Sequence, residues 1–378
     1  MEMKELVKQG IQEALDRAVR AGTLPQGEYP EVVLEVPPQK KFGDFATNIA
    51  MQSARIAHKS PQLIARAIVE QMDYSWLNKA EIAGAGFINF FLNHTVIYDT
   101  LRQILSAGEQ YGQAKLRDDD TVQVEYVSAN PTGPLHVGHG RGAAYGSALV
   151  NLLRKAGYNV QAEYYINDAG NQMDNLAASV NARYLELLGY PSEIPENGYH
   201  GHDIIETAQA IIDQDGDAYL SMAEPERLAY FKDRAYAEKL KALRQDLAVF
   251  NVHYDNWFSE RTLHPDAIRA ACDELKKRGK AYEKDGALWL KSTDYGDDKD
   301  RVIIRDNGVP TYLAADIAYH KNKYERGFRK MINIWGADHH GYVARVKASM
   351  AALGYDPSQL EVLLLQMVSL FRDGKPVK

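Results

Sequence analysis

Apolar residues recur every three or four positions from Leu6 to Ala21 and again from Asp44 to His58, and each stretch predicts an amphipathic helix. Between them "EVVLEV" (Glu31 to Val36) has the composition of a strand. A third helix is predicted from "KSPQLIARAIVEQM", where Ser60 is a natural N-cap and Pro61 suits the first helical position. Alternation in "AEIAGAGFINFFL" (Ala80 to Leu92) predicts a strand, and "HTVIYDTLRQILSAG" a closing helix. Residues 1–115 thus form a small α+β domain, and the charged "KLRDDD" (Lys115 to Asp120) marks its boundary.

From Thr121 the rhythm changes to strand then helix, repeated: Thr121 to Val127, Gly142 to Ala156, "NVQAEYYIN", "NQMDNLAASVNARYLELLG". Such alternation implies parallel strands with crossover helices, an α/β doubly wound sheet of Rossmann type. Near residue 190 it breaks at the turn-rich "YPSEIPENGYHGHD"; a long helical stretch from Glu224 to Phe250 and a hairpin around "YEKDGALWLKS" follow. It resumes with "INIWG", a helix from Tyr342 to Leu353, and "LEVLLLQMVSL". The second domain is therefore 116–378, with an insertion at about 190–300 between two halves of one nucleotide-binding fold.

Composition narrows the function without fixing it. A chain of 378 residues, 45% hydrophobic and 25% charged, has the makeup of a soluble globular protein of two or three domains. No run approaches the roughly 18 apolar residues of a membrane span, and the mixed-charge start lacks an apolar signal core, so a cytoplasmic address is expected. The single cysteine, Cys272, excludes an intramolecular disulfide or a Cys-based zinc cluster and reads as a small buried hydrophobe of a helix. A formal charge of −7 argues against a general polyanion binder, though local patches or shape can still recognise nucleic acid.

The candidate chemistry lies in "VSANPTGPLHVGHG" (Val127 to Gly140), between a predicted strand and a predicted helix. Strand, glycine-rich turn and helix make a phosphate cradle, because N–H groups at a helix start point at an anion. Gly138, Gly140 and Gly142 permit close backbone approach. His136 and His139 are three apart, so a helix starting inside the motif puts both on one side, where imidazolium donors would stabilise a pentavalent phosphate. The same spacing also allows turn glycines and two solvent histidines. Asp338, His339 and His340 imitate a metal cluster but lack further ligands at metal spacing, so no structural metal is expected.

"HVGH" (His136 to His139) resembles the HIGH signature of class I aminoacyl-tRNA synthetases. Together with "SANPTGPLHVGHGRGAAYGSAL", "YYINDAGNQ", "VPTYLAADIAYH", "WGADHHGY" and "LLLQMVSLFRDGKPVK", it resembles the arginyl-tRNA synthetases; "FGDFATNIAM" and "GAGFINFFL" resemble their extra N-terminal domain. The resemblance implies activation of L-arginine with ATP and Mg²⁺, release of pyrophosphate, and transfer of the arginyl group to the terminal adenosine of arginine tRNA. It implies an ATP site at Pro134, His136, Gly138, His139, Gly336, Asp338, His339, Gln366 and Val368, with the two histidines catalytic, Gly138 leaving room for adenine, and Pro131 and Pro134 stiffening the approach.

A guanidinium is planar, permanently charged and carries five donors, so its pocket needs carboxylates and other acceptors. The resemblance assigns this task to Tyr312, Asp316 and Glu125, the amino-acid backbone end to Ser128 and Asn130, and a late contact to His340, where some relatives have glutamine. Without it, Asp316 reads as a helix cap or surface ion pair, Tyr312 as core and Glu125 as a solvent-facing strand carboxylate. Phe87 and Asn89 are the implied tRNA contacts, stacking on and bonding to an exposed base. The implied chain is a monomer with no membrane partner. It is expected to end before a KMSK-like loop and a C-terminal anticodon-binding domain, and to be weakly active alone. Another HIGH-bearing nucleotidyltransferase without tRNA, or a non-catalytic tRNA-binding relative, remain the alternatives.

Overall fold

The computed structural model describes residues 3–377. Lys378, last residue of the final motif string, lies outside them. The chain divides into two compact units, Met1–Gly112 and Gln113–Lys378.

In the first unit, α1 (Met3–Arg20) buries Val7, Ile11, Ala14, Leu15 and Ala18, the stripe that the periodicity predicts. The chain continues through β1 (Phe45–Thr47), α2 (Ile49–Gln52), α3 (Ala54–Ala57), α4 (Pro61–Val69), β2 (Leu77–Ala83), β3 (Phe87–Leu92) and α5 (His94–Ala107). The sheet is antiparallel, in the order β1-β3-β2. Three sequence expectations are corrected here. The helix expected over Asp44 to His58 is a strand followed by two single-turn helices, because Phe45 to Thr47 pair with Ile88 to Phe90. The single strand expected over Ala80 to Leu92 is a hairpin, broken at Gly84 and Gly86 with φ of 53° and 127°; a Cβ at Gly86 would come within 2.6 Å of Pro61, so only glycine fits that turn. Glu31 to Val36 buries Val32 and Leu34 in strand-like alternation but pairs through one bridge alone, Glu35 with Ala46. Ser60 and Pro61 do open α4, without a side-chain capping bond from Ser60.

The second unit is built on five parallel strands. In chain order it runs β4 (Arg117–Glu125), α6 (Val137–Lys155), β5 (Tyr158–Ile166), α7 (Asn171–Leu187), α8 (His202–Asp215), α9 (Glu224–Val249), β6 (Asn256–Ser259) and α10 (Asp266–Lys277). Then come β7 (Ala281–Lys284), β8 (Ala287–Leu290), β9 (Arg301–Ile304), α11 (Tyr312–Glu325), β10 (Lys330–Gly336), α12 (His340–Ala352), β11 (Leu360–Leu365) and an exposed hairpin of β12 (Leu370–Arg372) and β13 (Lys375–Val377). The sheet order β11-β10-β4-β5-β6 is that of a doubly wound fold, and it reverses between β4 and β10. Asn256 to Ser259 lies inside the span 190–300 yet forms the edge strand beside β5, so that span is not a single insertion. Helices α7 to α9 close over their own core of Met173, Leu176, Tyr184, Ile204 and Phe231, while β7 to β9 make a separate antiparallel sheet. None of the described helices is long and apolar enough to cross a membrane.

Candidate active site at the sheet's switch point

Where the winding direction reverses, the loops leaving β4 and β10 diverge and open a crevice at the strands' carboxyl ends. A cavity of about 530 Å³ lies there, and its wall includes Glu125, Ser128, Asn130, His136, Gly138 and His139. Asp316, Gly336, Asp338, His339 and Gln366 line it too. Eleven positions predicted from sequence are thus brought together from β4, α6, α11, β10 and β11.

Strand β4 stops at Glu125, two residues before its predicted end, because Val127 and Ser128 take φ of 68° and 44°. For a β-branched valine this backbone is strained, and the turn places a functional group: Ser128 Oγ donates to Glu125 Oε1 at 3.1 Å and accepts from the Tyr165 N–H at 3.1 Å. Helix α6 starts at Val137 rather than Gly142, since the two histidines cap it themselves. His136 Nδ1 accepts from the Gly138 N–H at 3.1 Å, and His139 Nδ1 accepts from the His136 N–H at 3.2 Å. Their rings stack with centroids 3.7 Å apart. With each Nδ1 an acceptor, a neutral ring carries its proton on Nε2. Burial, then the neighbouring His136, pushes His139 down to about 4, so at pH 7 its ring is a neutral Nε2–H donor rather than the expected imidazolium. Gly138 is also needed locally: a Cβ would stand 3.0 Å from the His136 ring. Gly146, deeper in α6, lets the helix lie against Tyr126, whose ring a Cβ would approach to 2.2 Å.

Across the cavity α11 supplies Asp316, whose carboxyl is driven up to about 7. Burial is the main cause; the Tyr342 hydroxyl, which donates to Asp316 Oδ2, opposes it, while Glu125 and Glu260 push the same way as burial and Lys323 pushes back. Glu125 is not the free carboxylate that sequence suggests. Its Oε2 is 2.6 Å from Lys323 Nζ, whose side chain is 0% exposed and also donates to Asn333 Oδ1 at 2.8 Å. His320 is held well down, at about 3, by burial and by Lys323, and its Nε2 meets Asn333 Nδ2.

Other expected residues fall elsewhere. Tyr312 is 61% exposed at the first turn of α11, one turn before Asp316, and neither it nor His340, Pro134 or Val368 is in the cavity wall. In the first unit Phe87 is 37% exposed, but Asn89 is buried in the central strand. Asp338 and His339 are exposed, 3.6 Å apart, and among the described residues no group of three or more His, Cys, Asp or Glu side chains converges as a metal site. Sequence reasoning missed Tyr165, Tyr319, His320, Trp335 and Tyr342 in the wall, and Glu260 and Lys323 behind it. Tyr319 and Lys323 were findable: they lie three and seven residues after Asp316, spacings that share a helical face.

Two family models match the chain: the arginyl tRNA synthetase N-terminal domain over residues 4–92, and the class I (R) tRNA synthetase catalytic domain over residues 100–378. An arginine–tRNA ligase of Geobacillus kaustophilus is 52% identical over 380 residues, covering 100% of this chain and 68% of that protein. A Campylobacter jejuni structure assigned to arginyl tRNA synthetase is 42% identical with a TM-score of 0.70, over 76% of this chain and 63% of that one. The Thermus thermophilus arginyl-tRNA synthetase shares the fold at a TM-score of 0.58 and 22% identity, over 97% of this chain and 66% of its own. The chain thus spans about two thirds of the length of the relatives it matches. With both units matched in order by one family, the chain belongs to the arginine–tRNA ligases of class I.

Proposed function

We propose that the switch-point cavity binds L-arginine and ATP side by side and joins them as arginyl-adenylate, which then reacts with arginine tRNA. Membership of a class I synthetase family implies the use of ATP and the binding of arginine and tRNA. The observation that carries the reading is the pairing, in one cavity, of a carboxyl walled by α11 with two histidines at the start of α6.

An arginine carboxylate oxygen attacks the α-phosphorus, the bond to the bridging oxygen breaks, and the electron pair leaves with pyrophosphate. Charge grows on phosphate oxygens during that step. The Nε2–H groups of His136 and His139, at a helix start whose dipole favours negative charge, are donors available to receive it. Asp316 faces the guanidinium, and Ser128 and Asn130 hold the other end of the amino acid. Mg²⁺ would come as the ATP complex, held by phosphate oxygens, and neutralise charge on them. A ribose hydroxyl of the tRNA's terminal adenosine then attacks the carbonyl carbon, the bond to the phosphate oxygen breaks, and AMP leaves with the hydroxyl's proton passing to its phosphate or to solvent. Of the two implied tRNA contacts, Phe87 has ring surface free to stack, whereas Asn89 does not reach solvent as the strand stands. We place the reaction in the cytoplasm, with the chain a monomer. The test is titration calorimetry of arginine, lysine and citrulline, followed by arginine-dependent ATP–pyrophosphate exchange with arginine tRNA present. Equal binding of citrulline and arginine would refute the assignment, because only the latter carries the charge that Asp316 requires.

A further inference from the structure

Helix α11 carries two opposite charges on one face, Asp316 in the cavity wall and Lys323 two turns deeper. Lys323 is fully buried, and each of its partners belongs to the site or its floor. Glu125 Oε2 lies at 2.6 Å and Asn333 Oδ1 at 2.8 Å, and the Tyr319 ring centre is 4.5 Å away. Glu125 and Asn333 are themselves register partners across β4 and β10, the two strands that flank the switch point. Glu125 is held at both oxygens, by Lys323 on one and Ser128 on the other. An ion pair this deep contributes little net stability compared with apolar side chains of similar volume, so its place against the cavity asks for another reason.

We propose that Lys323 is a positioning residue for the amino-acid half of the cavity: its ammonium takes up the charge of Glu125, fixes that carboxylate's orientation, and so leaves Asp316 as the carboxylate open to a cationic side chain. This rests on the amino-acid reading above. The groups that face Asp316 are Glu125 from β4, Tyr165 from β5, Glu260 from the turn after β6, Lys323 from its own helix and Tyr342 from α12. Arg345 lies 5.7 Å from the Tyr342 ring centre. Lys323 thus offsets Glu125, Glu260 lies 3.0 Å from His264 Nε2, and Asp316 accepts from the Tyr342 hydroxyl. With Lys323 in place, the attraction that the wall offers a monovalent cation centres on Asp316. Without it, Glu125 and Asp316 repel each other and Asp316 keeps its proton to higher pH.

The test uses the 378-residue chain with ¹³C-labelled aspartate, titrating the Asp316 carboxyl by NMR without ligand, and arginine calorimetry between pH 6 and 9. Lys323→Met should raise the Asp316 midpoint above its starting value of about 7, by roughly half a unit or more. Arginine affinity at pH 7 should weaken about two- to fivefold, the fall in the deprotonated fraction of Asp316 that a rise of half a unit to one unit brings, while ATP affinity holds. Should Lys323→Met not fold, Glu125→Gln and the double variant Glu125→Gln/Lys323→Met carry the comparison, since the double variant leaves no lone buried charge. Glu125→Gln alone should have the lowest midpoint and the double variant a higher one, the difference being the effect of Lys323. Identical midpoints in that pair, or a folded Lys323→Met chain with unchanged midpoint and arginine affinity, would overturn the proposal. An unsubstituted chain that binds citrulline as well as arginine overturns the functional reading instead, and the ligand-free midpoints still decide the role of Lys323.

Discussion

Replacing Asp316 by Asn should make the protein more stable at pH 8 while removing most of its affinity for arginine. The carboxyl ordinarily titrates at 3.8 but holds its proton to about 7 in the folded cavity, chiefly through burial and then through Glu125 and Glu260. Between those values the folded state carries more protons than the unfolded one, so stability falls as pH rises from about 4 to about 7 and stays lowered above that. Three pKa units correspond to roughly 4 kcal/mol; because the residue lines an open cavity and is only partly enclosed, about 1–3 kcal/mol is the reasonable gain from removing the charge. Asparagine keeps an acceptor for the Tyr342 hydroxyl, so the local contact survives. Losing a charge-assisted partner for the guanidinium should weaken binding by about 2–5 kcal/mol. Urea unfolding at pH 5 and pH 8, with arginine calorimetry at pH 8, measures both effects. The unsubstituted chain should lose stability between the two pH values, and the variant should lose less. A variant no more stable at pH 8, with arginine affinity intact, would show that Asp316 is neither buried as described nor the guanidinium's partner.

Tyr342→Phe removes the donor that opposes the upward shift of Asp316, so the acid limb of arginine binding should move to higher pH, as calorimetry across pH 6 to 8 would record. If the His139 ring acts on charge that develops during reaction, as proposed, His139→Asn should lower the turnover of pyrophosphate exchange far more than it raises the KM for ATP; equal loss in both would make it a ground-state ligand. Gly146→Ala should destabilise by about 1–3 kcal/mol in urea unfolding, because its Cβ would lie 2.2 Å from the Tyr126 ring. Ser128→Ala should cost about 1 kcal/mol for each of its two hydrogen bonds and loosen Glu125.

Much of this architecture is legible in local pattern, because helices and parallel strands are set by periodicities of a few residues. The stripe of α1, the alternation from Thr121 onward and the return at "INIWG" all hold. The motif strings likewise mark the chain's family, which the matched domains show. Pattern cannot say which strand an extended segment pairs with. That is why Ala80 to Leu92 proves to be a hairpin, Glu31 to Val36 forms only a bridge, and Asn256 to Ser259, inside the supposed insertion, is the sheet's edge. Nor can it say what a charged side chain meets. Glu125 reads in sequence as a free carboxylate, and only the register of β4 against β10, with Lys323 of α11 reaching Glu125 and Asn333 together, sets the ammonium against it. The histidines show the division most clearly. Their three-residue spacing is a property of the sequence, but the protonation of His139 follows from the burial and the neighbouring His136 that folding supplies, since a proton's free energy depends on every charge and dipole nearby in space, however distant along the chain.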